Sequence, residues 1–201
     1  MKNILYFIFL LTSITFSQNK DINITMEEVL INSDIQELLD FENINYLKIK
    51  FSGEKLVGKK YVLTVKEIWK GKVKSESEIL NSKTFPFEDW KEINDTILEI
   101  NVISKLSKKK NLKMVFKTPR VKITKNFKAI NSNNYHFTDL IDSNKEKVSF
   151  GKKFYLLSNA LMYEYDGTLR SFVGGINNGD VLKWGDKYGI KHYLIFEMKI
   201  E

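Results

Sequence analysis

The chain has 201 residues, and its 32 lysine and arginine residues outnumber its 25 aspartate and glutamate residues, for a formal net charge of +7. It contains no cysteine, which excludes disulfides, thiolate metal sites and a cysteine nucleophile. A chain of this length can form one domain with a full hydrophobic core, and its two prolines and lack of a Gly/Ser tract give no sign of a linker.

The first 17 residues have the pattern of a secretory signal peptide. Lys2 supplies a positive charge, residues 4–11 form an uncharged and largely apolar run, and small residues lead to Ser17. The apolar run is shorter than the roughly 20 residues that a membrane-spanning helix needs. We therefore expect an exported protein, periplasmic or extracellular, whose mature chain over 18–201 is a single β-rich domain without a transmembrane segment.

Two segments near the start of this domain carry helix-capping patterns. Thr25 with Glu28, and Ser33 with Gln36, have the spacing at which two side chains satisfy the first backbone amides of a helix. The second pair is accompanied by apolar residues at helical spacing, namely Ile35, Leu38 and Leu39. Both patterns predict a helix, and the second predicts the better one.

From residue 46 onward, apolar and polar side chains alternate as they do in β-strands, where successive residues face opposite sides of a sheet. Segment 73–80 is polar, which is typical of an edge strand, and segment 131–145 is predicted to be a loop with a helical turn at 137–141. Strands are predicted over 46–51, 60–69, 73–80, 96–106, 112–117, 121–130 and 153–157.

The last part of the chain contains six of the ten glycines. The pair Asp166-Gly167 favours a tight hairpin turn. Asn178 is predicted to cap a short helix that ends at Gly189 and places Trp184 on the sheet. In the predicted closing strand over 191–200, side chains alternate between two faces. The core face is formed by His192, Leu194, Phe196, Met198 and Ile200, and the other face is predicted to be half covered.

These patterns predict a mainly β (α+β) fold: an antiparallel barrel or sandwich of about eight to ten strands with two or three short helices. Residues 61–71, with Phe51-Ser52-Gly53 before them and residues 151–157 after them, resemble the strand pattern of bacterial netrin-like domains. Those domains are OB-type barrels related to metalloproteinase inhibitors. This chain has a longer middle section and lacks the cysteines of many members. The resemblance implies a barrel, and an inhibitor-like protein as one alternative function.

Few residues form patterns that are typical of enzymes. His192 lies on the apolar face of the closing strand, which favours a hydrogen-bonded core histidine. His136 lies near Asp139, but no serine has a nucleophile-elbow pattern, which favours an ordinary loop residue. Gly174 and Gly175 favour a chain bend over a phosphate-binding loop. No metal-ligand spacing is present, so neither a metal nor a cofactor is expected.

One pair of adjacent carboxylates lies among aromatic residues. Glu88 and Asp89 are flanked by Phe87 and Trp90, and such a pair suits the acid and nucleophile of a small envelope-glycan hydrolase. The alternative is a surface turn whose aromatic residues fold back onto the core, and we favour it.

The sharpest functional signal is electrostatic. Residues 101–138 contain no aspartate or glutamate, but they contain ten lysine and arginine residues. Alternation places Lys113 and Lys117 on the outer face of one predicted strand, and Lys122 and Lys128 on the outer face of the next. If these two strands pair, the four lysines form one continuous basic face.

Such a face predicts a binding or accessory protein rather than an enzyme. Its expected partner is an anionic polysaccharide, an envelope surface or an acidic protein. Nucleic acid is not expected, because an exported protein seldom meets it and because Phe116 and Phe127 occupy core positions unsuited to base stacking. A solvated, lysine-rich sheet surface without a ligand is the other interpretation.

Overall fold

In the computed structural model, residues 22–28, 33–107, 110–141, 148–170 and 178–201 are described. The predicted signal peptide over 1–17 lies outside this part of the chain, as do Gly174, Gly175, Lys108 and Lys109. Among the described residues, no helix combines the length and the apolar character needed to cross a membrane.

Twelve strands and two short α-helices are present in the described residues. The helices are α1 (Ser33–Phe41) and α2 (Trp184–Tyr188), and 3-10 turns lie at Glu54–Leu56, Ser82–Thr84, Glu88–Trp90 and Asn178–Lys183. The strands are β1 (Asn23–Glu28), β2 (Ile44–Ser52), β3 (Tyr61–Trp69), β4 (Lys72–Asn81), β5 (Ile97–Leu106), β6 (Asn111–Lys117), β7 (Lys122–Lys128), β8 (Tyr135–Asp139), β9 (Lys153–Leu161), β10 (Tyr163–Tyr165), β11 (Thr168–Arg170) and β12 (His192–Ile200).

The strands form two five-stranded antiparallel sheets that pack face to face. The first sheet has the order β1-β2-β5-β6-β7 and the second has the order β4-β3-β12-β9-β8, while β10 and β11 form a separate hairpin. The rings of Phe116 on β6 and Phe196 on β12 lie 5.5 Å apart between the sheets, within one hydrophobic core. The fold is therefore mainly β, and the sandwich alternative is confirmed. In the described residues the sheets do not close into the barrel implied by the netrin-like resemblance.

The closing strand β12 is the centre of the second sheet, between β3 and β9. Its second face is more deeply covered than alternation predicts, because Tyr193 and Ile195 are fully buried. The rings of Trp184 and Tyr193 lie 5.8 Å apart, and Tyr193 Oη donates a 3.0 Å hydrogen bond to the carbonyl of Leu182. The predicted placement of Trp184 on the sheet is confirmed, as is the helix end at Gly189, whose φ is 69°.

Two segments form strands where the sequence predicts helix. Thr25 and Glu28 belong to β1, which pairs with β2, and residues 137–139 belong to β8, which pairs with β9. Both strands are at the edge of a sheet. Their backbone hydrogen bonds to a neighbouring strand outweigh the local preference for a helical turn, as tertiary context commonly does. The predicted helix at Ser33 is confirmed as α1.

Candidate functional site

The four predicted lysines lie together on the outer surface of the first sheet. In the register of β6 with β7, Lys117 is opposite Lys122 and Asn111 is opposite Lys128. The odd-numbered residues of β6 and the even-numbered residues of β7 therefore lie on the same side of the sheet. All four lysine side chains are exposed. Within the described residues, none of them forms an ion pair or a side-chain hydrogen bond. The predicted basic surface is therefore present as a geometric feature.

Three further lysines share this surface, which we call the lysine face. It consists of Lys113, Lys117, Lys122 and Lys128 together with Lys48, Lys50 and Lys105. Lys48, Lys50 and Lys105 were not predicted to be neighbours of the other four. Their alternation is visible in the sequence, but the pairing of β2 with β5 and of β5 with β6 is not.

Negative charge on the lysine face lies on the side away from β7. Glu27 on β1 is opposite Lys48, and Glu99 on β5 is opposite Lys50. Lys105 forms an ion pair with Glu42. The unneutralised positive charge is therefore concentrated on β6 and β7.

Register also arranges the lysine face in rows that run across the strands. Neighbouring strands are roughly 4.7–4.9 Å apart, and alternate residues along a strand are roughly 6.6–6.8 Å apart. One row contains Lys48, Asn101, Lys117 and Lys122. The next row contains Tyr46, Ile103, Val115 and Thr124, and the row after it contains Ile44, Lys105, Lys113 and Asn126.

Other basic residues of the acid-free segment are not on the lysine face. Lys125 alternates toward the second sheet, opposite Met114, and is partly buried at the sandwich edge. Lys110 lies in the turn before β6, where its φ is 57°. Arg120 lies in the turn after β6 and donates a hydrogen bond to the carbonyl of Asp89. The segment is uniformly basic in sequence, but its charges point in several directions.

The carboxylate pair beside Trp90 does not face a cleft. Glu88 and Asp89 form an exposed 3-10 turn with Trp90. Glu88 accepts a 2.5 Å hydrogen bond from Lys91, and this bond lowers the pKa of the Glu88 carboxyl. The Trp90 ring packs edge-on against Phe87 at 4.7 Å and against the core. This is the arrangement of the favoured surface turn.

Two cavities flank Trp90, and neither is lined by Glu88 or Asp89. The cavity of about 500 Å³ has Glu78 as its one acidic lining residue, and that of about 290 Å³ has Glu92 and Asp95. These carboxylates were not singled out by the sequence analysis, since no local motif marks them.

His192 is a buried core residue, as the sequence analysis favours. Its Nδ1 lies 2.6 Å from Tyr135 Oη, its ring lies 4.2 Å from the Trp69 ring, and its Nε2 lies 3.8 Å from Glu67 Oε1. Burial lowers the pKa of His192 to about 4 and raises that of Tyr135 to about 12. A fully buried imidazole held in this way has no access to an external substrate.

His136 does not form a catalytic pair with Asp139. The two residues are three positions apart in β8, so their side chains point to opposite sides of the strand. His136 Nε2 lies 3.3 Å from Thr138 Oγ1, whereas Asp139 Oδ1 accepts a 2.7 Å hydrogen bond from the amide of Ile141. Both residues border a cavity of about 310 Å³ beside α1.

A compact ion-pair network lies on the outer side of the second sheet. Lys66 Nζ is 2.7 Å from Glu197 Oε1, and Lys153 Nζ is 3.0 Å from Glu76 Oε1 and 3.7 Å from Glu197 Oε2. Burial is the largest single effect and acts to lower the pKa of Lys66. The hydrogen bond to Glu197, together with the charges of Glu197, Tyr155 and Glu76, outweighs burial, so the pKa of Lys66 is raised. The network is internally neutralised and contrasts with the unpaired lysines of β6 and β7 on the first sheet.

The described part of the chain contains no cluster of three or more histidine, aspartate and glutamate residues suited to a metal ion. Comparison with known proteins finds no matching family model, no similar curated protein and no similar solved structure.

Proposed function

We propose that this chain is an exported binding or accessory protein whose lysine face contacts an anionic polymer or surface of the cell envelope. The observation that carries the proposal is the register of β6 and β7, which gathers Lys113, Lys117, Lys122 and Lys128 on one exposed face. Their charge is not cancelled by carboxylates on the same two strands, since β6 and β7 contain none.

The physical basis is polyelectrolyte binding. A polyanion holds a layer of counterions, and lysines that replace them release the ions to solution, which favours association at low salt. Several lysines on a rigid sheet act together without ordering a flexible segment, so less conformational entropy is lost on binding. Exposed charges on a flat face also suit an extended or surface-like partner better than a small molecule in a pocket.

Export is part of the proposal because the kind of partner depends on it. Lys2, the apolar run over 4–11 and the small residues before Ser17 support a cleaved signal peptide. A chain without cysteine is compatible with an oxidising compartment, since it offers no thiol to oxidise. In that setting the available polyanions are envelope glycans, anionic lipid headgroups and acidic proteins.

The hydrolase alternative has less support. Glycoside hydrolysis needs two carboxylates facing each other across a bound sugar, whereas Glu88 is exposed and paired with Lys91. An inhibitor-like function would rest on the netrin-like strand pattern alone, and the sandwich has a different architecture from that family's barrel.

The test is a charge reversal of the lysine face. A variant with Lys113, Lys117, Lys122 and Lys128 all replaced by glutamate is applied to immobilised heparin, and the salt concentration at elution is compared with that of the unaltered protein. The matched control reverses the same amount of charge at exposed positions off the first sheet, namely Lys72, Lys74, Lys152 and Lys191. Lys48 and Lys50 are unsuitable as controls because they belong to the lysine face.

We expect the face variant to elute at much lower salt than the control variant. Circular dichroism of both variants checks that the sandwich is intact. Equal losses would mean that retention reports net charge only, and the lysine face would then be a solvated surface without a ligand.

A further inference from the structure

The rows of the lysine face alternate in chemical character. A central row of Tyr46, Ile103, Val115 and Thr124 has lysines and an amide on one side, and Lys105, Lys113 and Asn126 together with Ile44 on the other. Tyr46, Ile103 and Val115 are partly exposed, so their apolar atoms reach the surface between the charges. The face is therefore a strip of mostly apolar side chains with a lysine-containing row on each side, whose unpaired lysines lie mainly on β6 and β7, and it runs perpendicular to the strands.

We infer that this strip binds a linear acidic polysaccharide lying across β2, β5, β6 and β7, with its sugar rings on the central row and its anionic groups toward the two lysine rows. The inference rests on the proposed function and names its ligand class. It also adds Tyr46, Val115 and Lys48 to the residues that contact the ligand, whereas Lys105 is already paired with Glu42.

The dimensions suit a chain rather than a small ligand. Four strands at roughly 4.8 Å spacing make the central row about 14 Å long, and each lysine row is offset from it by roughly 6.7 Å. A pyranose ring has an apolar face formed by its C–H groups, while its carboxylate or sulfate groups project sideways. Such a ring can rest on aliphatic and aromatic side chains while its anionic groups meet lysines to either side.

Other polyanions match this pattern less well. A lipid surface would be attracted to the lysines through its headgroups and would make no specific use of the apolar side chains of the central row. Single-stranded nucleic acid needs exposed aromatic platforms for its bases, and Tyr46 is the single aromatic residue among the twelve positions of the three rows. The partly exposed aliphatic side chains between lysines favour a polymer with apolar ring faces.

The test uses two soluble linear polyanions, polygalacturonate, which has sugar rings, and polyphosphate, which has none. A row variant carries Tyr46→Thr and Val115→Thr, since threonine retains a high β-propensity. Its control carries Val57→Thr and Val73→Thr at exposed apolar positions outside the first sheet. Affinities are measured by isothermal titration calorimetry, and anionic phospholipid vesicles are tested by co-sedimentation.

We expect the row variant to lose about fivefold in affinity for polygalacturonate, as for the loss of one or two packed ring contacts, and to keep its affinity for polyphosphate. The control variant should keep both. Replacing Tyr46 by phenylalanine retains the ring and should retain binding. If the double variant does not fold, Val115→Thr alone is measured, and a selective loss for polygalacturonate is again expected.

Two results would overturn the inference and leave the proposed function standing. One is a row variant that binds polygalacturonate as the unaltered protein does, although the fourfold lysine reversal abolishes binding. The other is binding to vesicles or polyphosphate without binding to polygalacturonate. If the lysine reversal changes neither polyanion affinity, the proposed function itself fails and the inference fails with it.

Discussion

Asn159 on β9 donates a 3.0 Å hydrogen bond from Nδ2 to Ser104 Oγ on β5, so a polar contact crosses the interior between the two sheets. Both residues are fully buried. The net stabilisation from such a bond is modest, but removing one partner leaves the other buried without a hydrogen bond, at a larger cost.

Replacing Ser104 by alanine should therefore destabilise the fold by about 1–3 kcal/mol, because the Asn159 amide keeps its desolvation cost and loses its acceptor. Urea unfolding measures the effect. Thr124→Ala, on the outer surface of β7, is the control and should change the midpoint much less.

The double variant with Ser104→Ala and Asn159→Leu should be more stable than Ser104→Ala alone, because both polar groups are then removed from the interior. A Ser104→Ala midpoint equal to that of the unaltered protein would show that the contact between the sheets contributes nothing.

A second prediction concerns neighbouring residues on opposite faces of β12. Phe196 lies between the sheets against Phe116, so Phe196→Ala should cost about 3–5 kcal/mol. Alternation alone predicts that Glu197 is nearly dispensable. In the structure Glu197 is 6% exposed and 2.7 Å from Lys66, so Glu197→Ala should cost about 2 kcal/mol.

Denaturant midpoints of the two variants, with Lys191→Ala as an exposed control, should rank Phe196→Ala as the most damaging and Lys191→Ala as the least. A Glu197→Ala midpoint that matches the Lys191→Ala control would contradict the view that the carboxylate is a buried partner of Lys66.

Much of the sandwich could be predicted from the sequence because its central strands bury one face. In β2, the side chains of Leu47, Ile49 and Phe51 alternate with polar residues and all three are buried, as predicted. The edge strands β1 and β8 could not be predicted in this way. Their few apolar residues do not distinguish a strand from a loop. In β1, Thr25 and Glu28 also have the spacing of a capping box, which favours a helix.

The same physics limits the prediction of the lysine face. Two consecutive strands joined by a short turn carry Lys113, Lys117, Lys122 and Lys128. The alternation of side chains along each strand, together with the pairing of these neighbouring strands, was therefore enough to group the four lysines. Lys48 joins this surface only through the pairing of β2 with β5, which links residues far apart in the chain. Strand order across such a separation depends on the packing of the whole core, which periodicity does not report.

A third prediction follows from the buried imidazole of His192. Its pKa is about 4 in the folded protein against an ordinary value of 6.5, so between these values the unfolded chain binds a proton that the folded chain does not. Stability should therefore fall as the pH is lowered from 6.5 toward 4, by at most about 3 kcal/mol from this residue. Above pH 6.5 the contribution is fully present.

The test compares the unaltered protein with His192→Gln over this pH range. The glutamine oxygen can accept a hydrogen bond from Tyr135 Oη without titrating, so the stability advantage of the unaltered protein should shrink between pH 6.5 and 4. Glu67 Oε1, at 3.8 Å, is the nearby carboxylate oxygen that could moderate the effect. Parallel stability curves for the two proteins would show that His192 does not carry this pH dependence.

The last prediction uses two lysines of β7 that differ in direction. Lys122 is exposed on the lysine face, whereas Lys125 alternates toward the second sheet and is partly buried. For nucleic acids, each lysine that replaces a counterion contributes about 0.7–0.9 to the slope of log affinity against log salt. For polygalacturonate, Lys122→Gln should therefore reduce the slope by somewhat less than one, and Lys125→Gln should leave it nearly unchanged.

The two variants remove the same charge from the same strand, so net charge cannot separate them. If both variants reduce the slope equally, binding depends on the overall field of the protein, and the lysine face is not the contact surface.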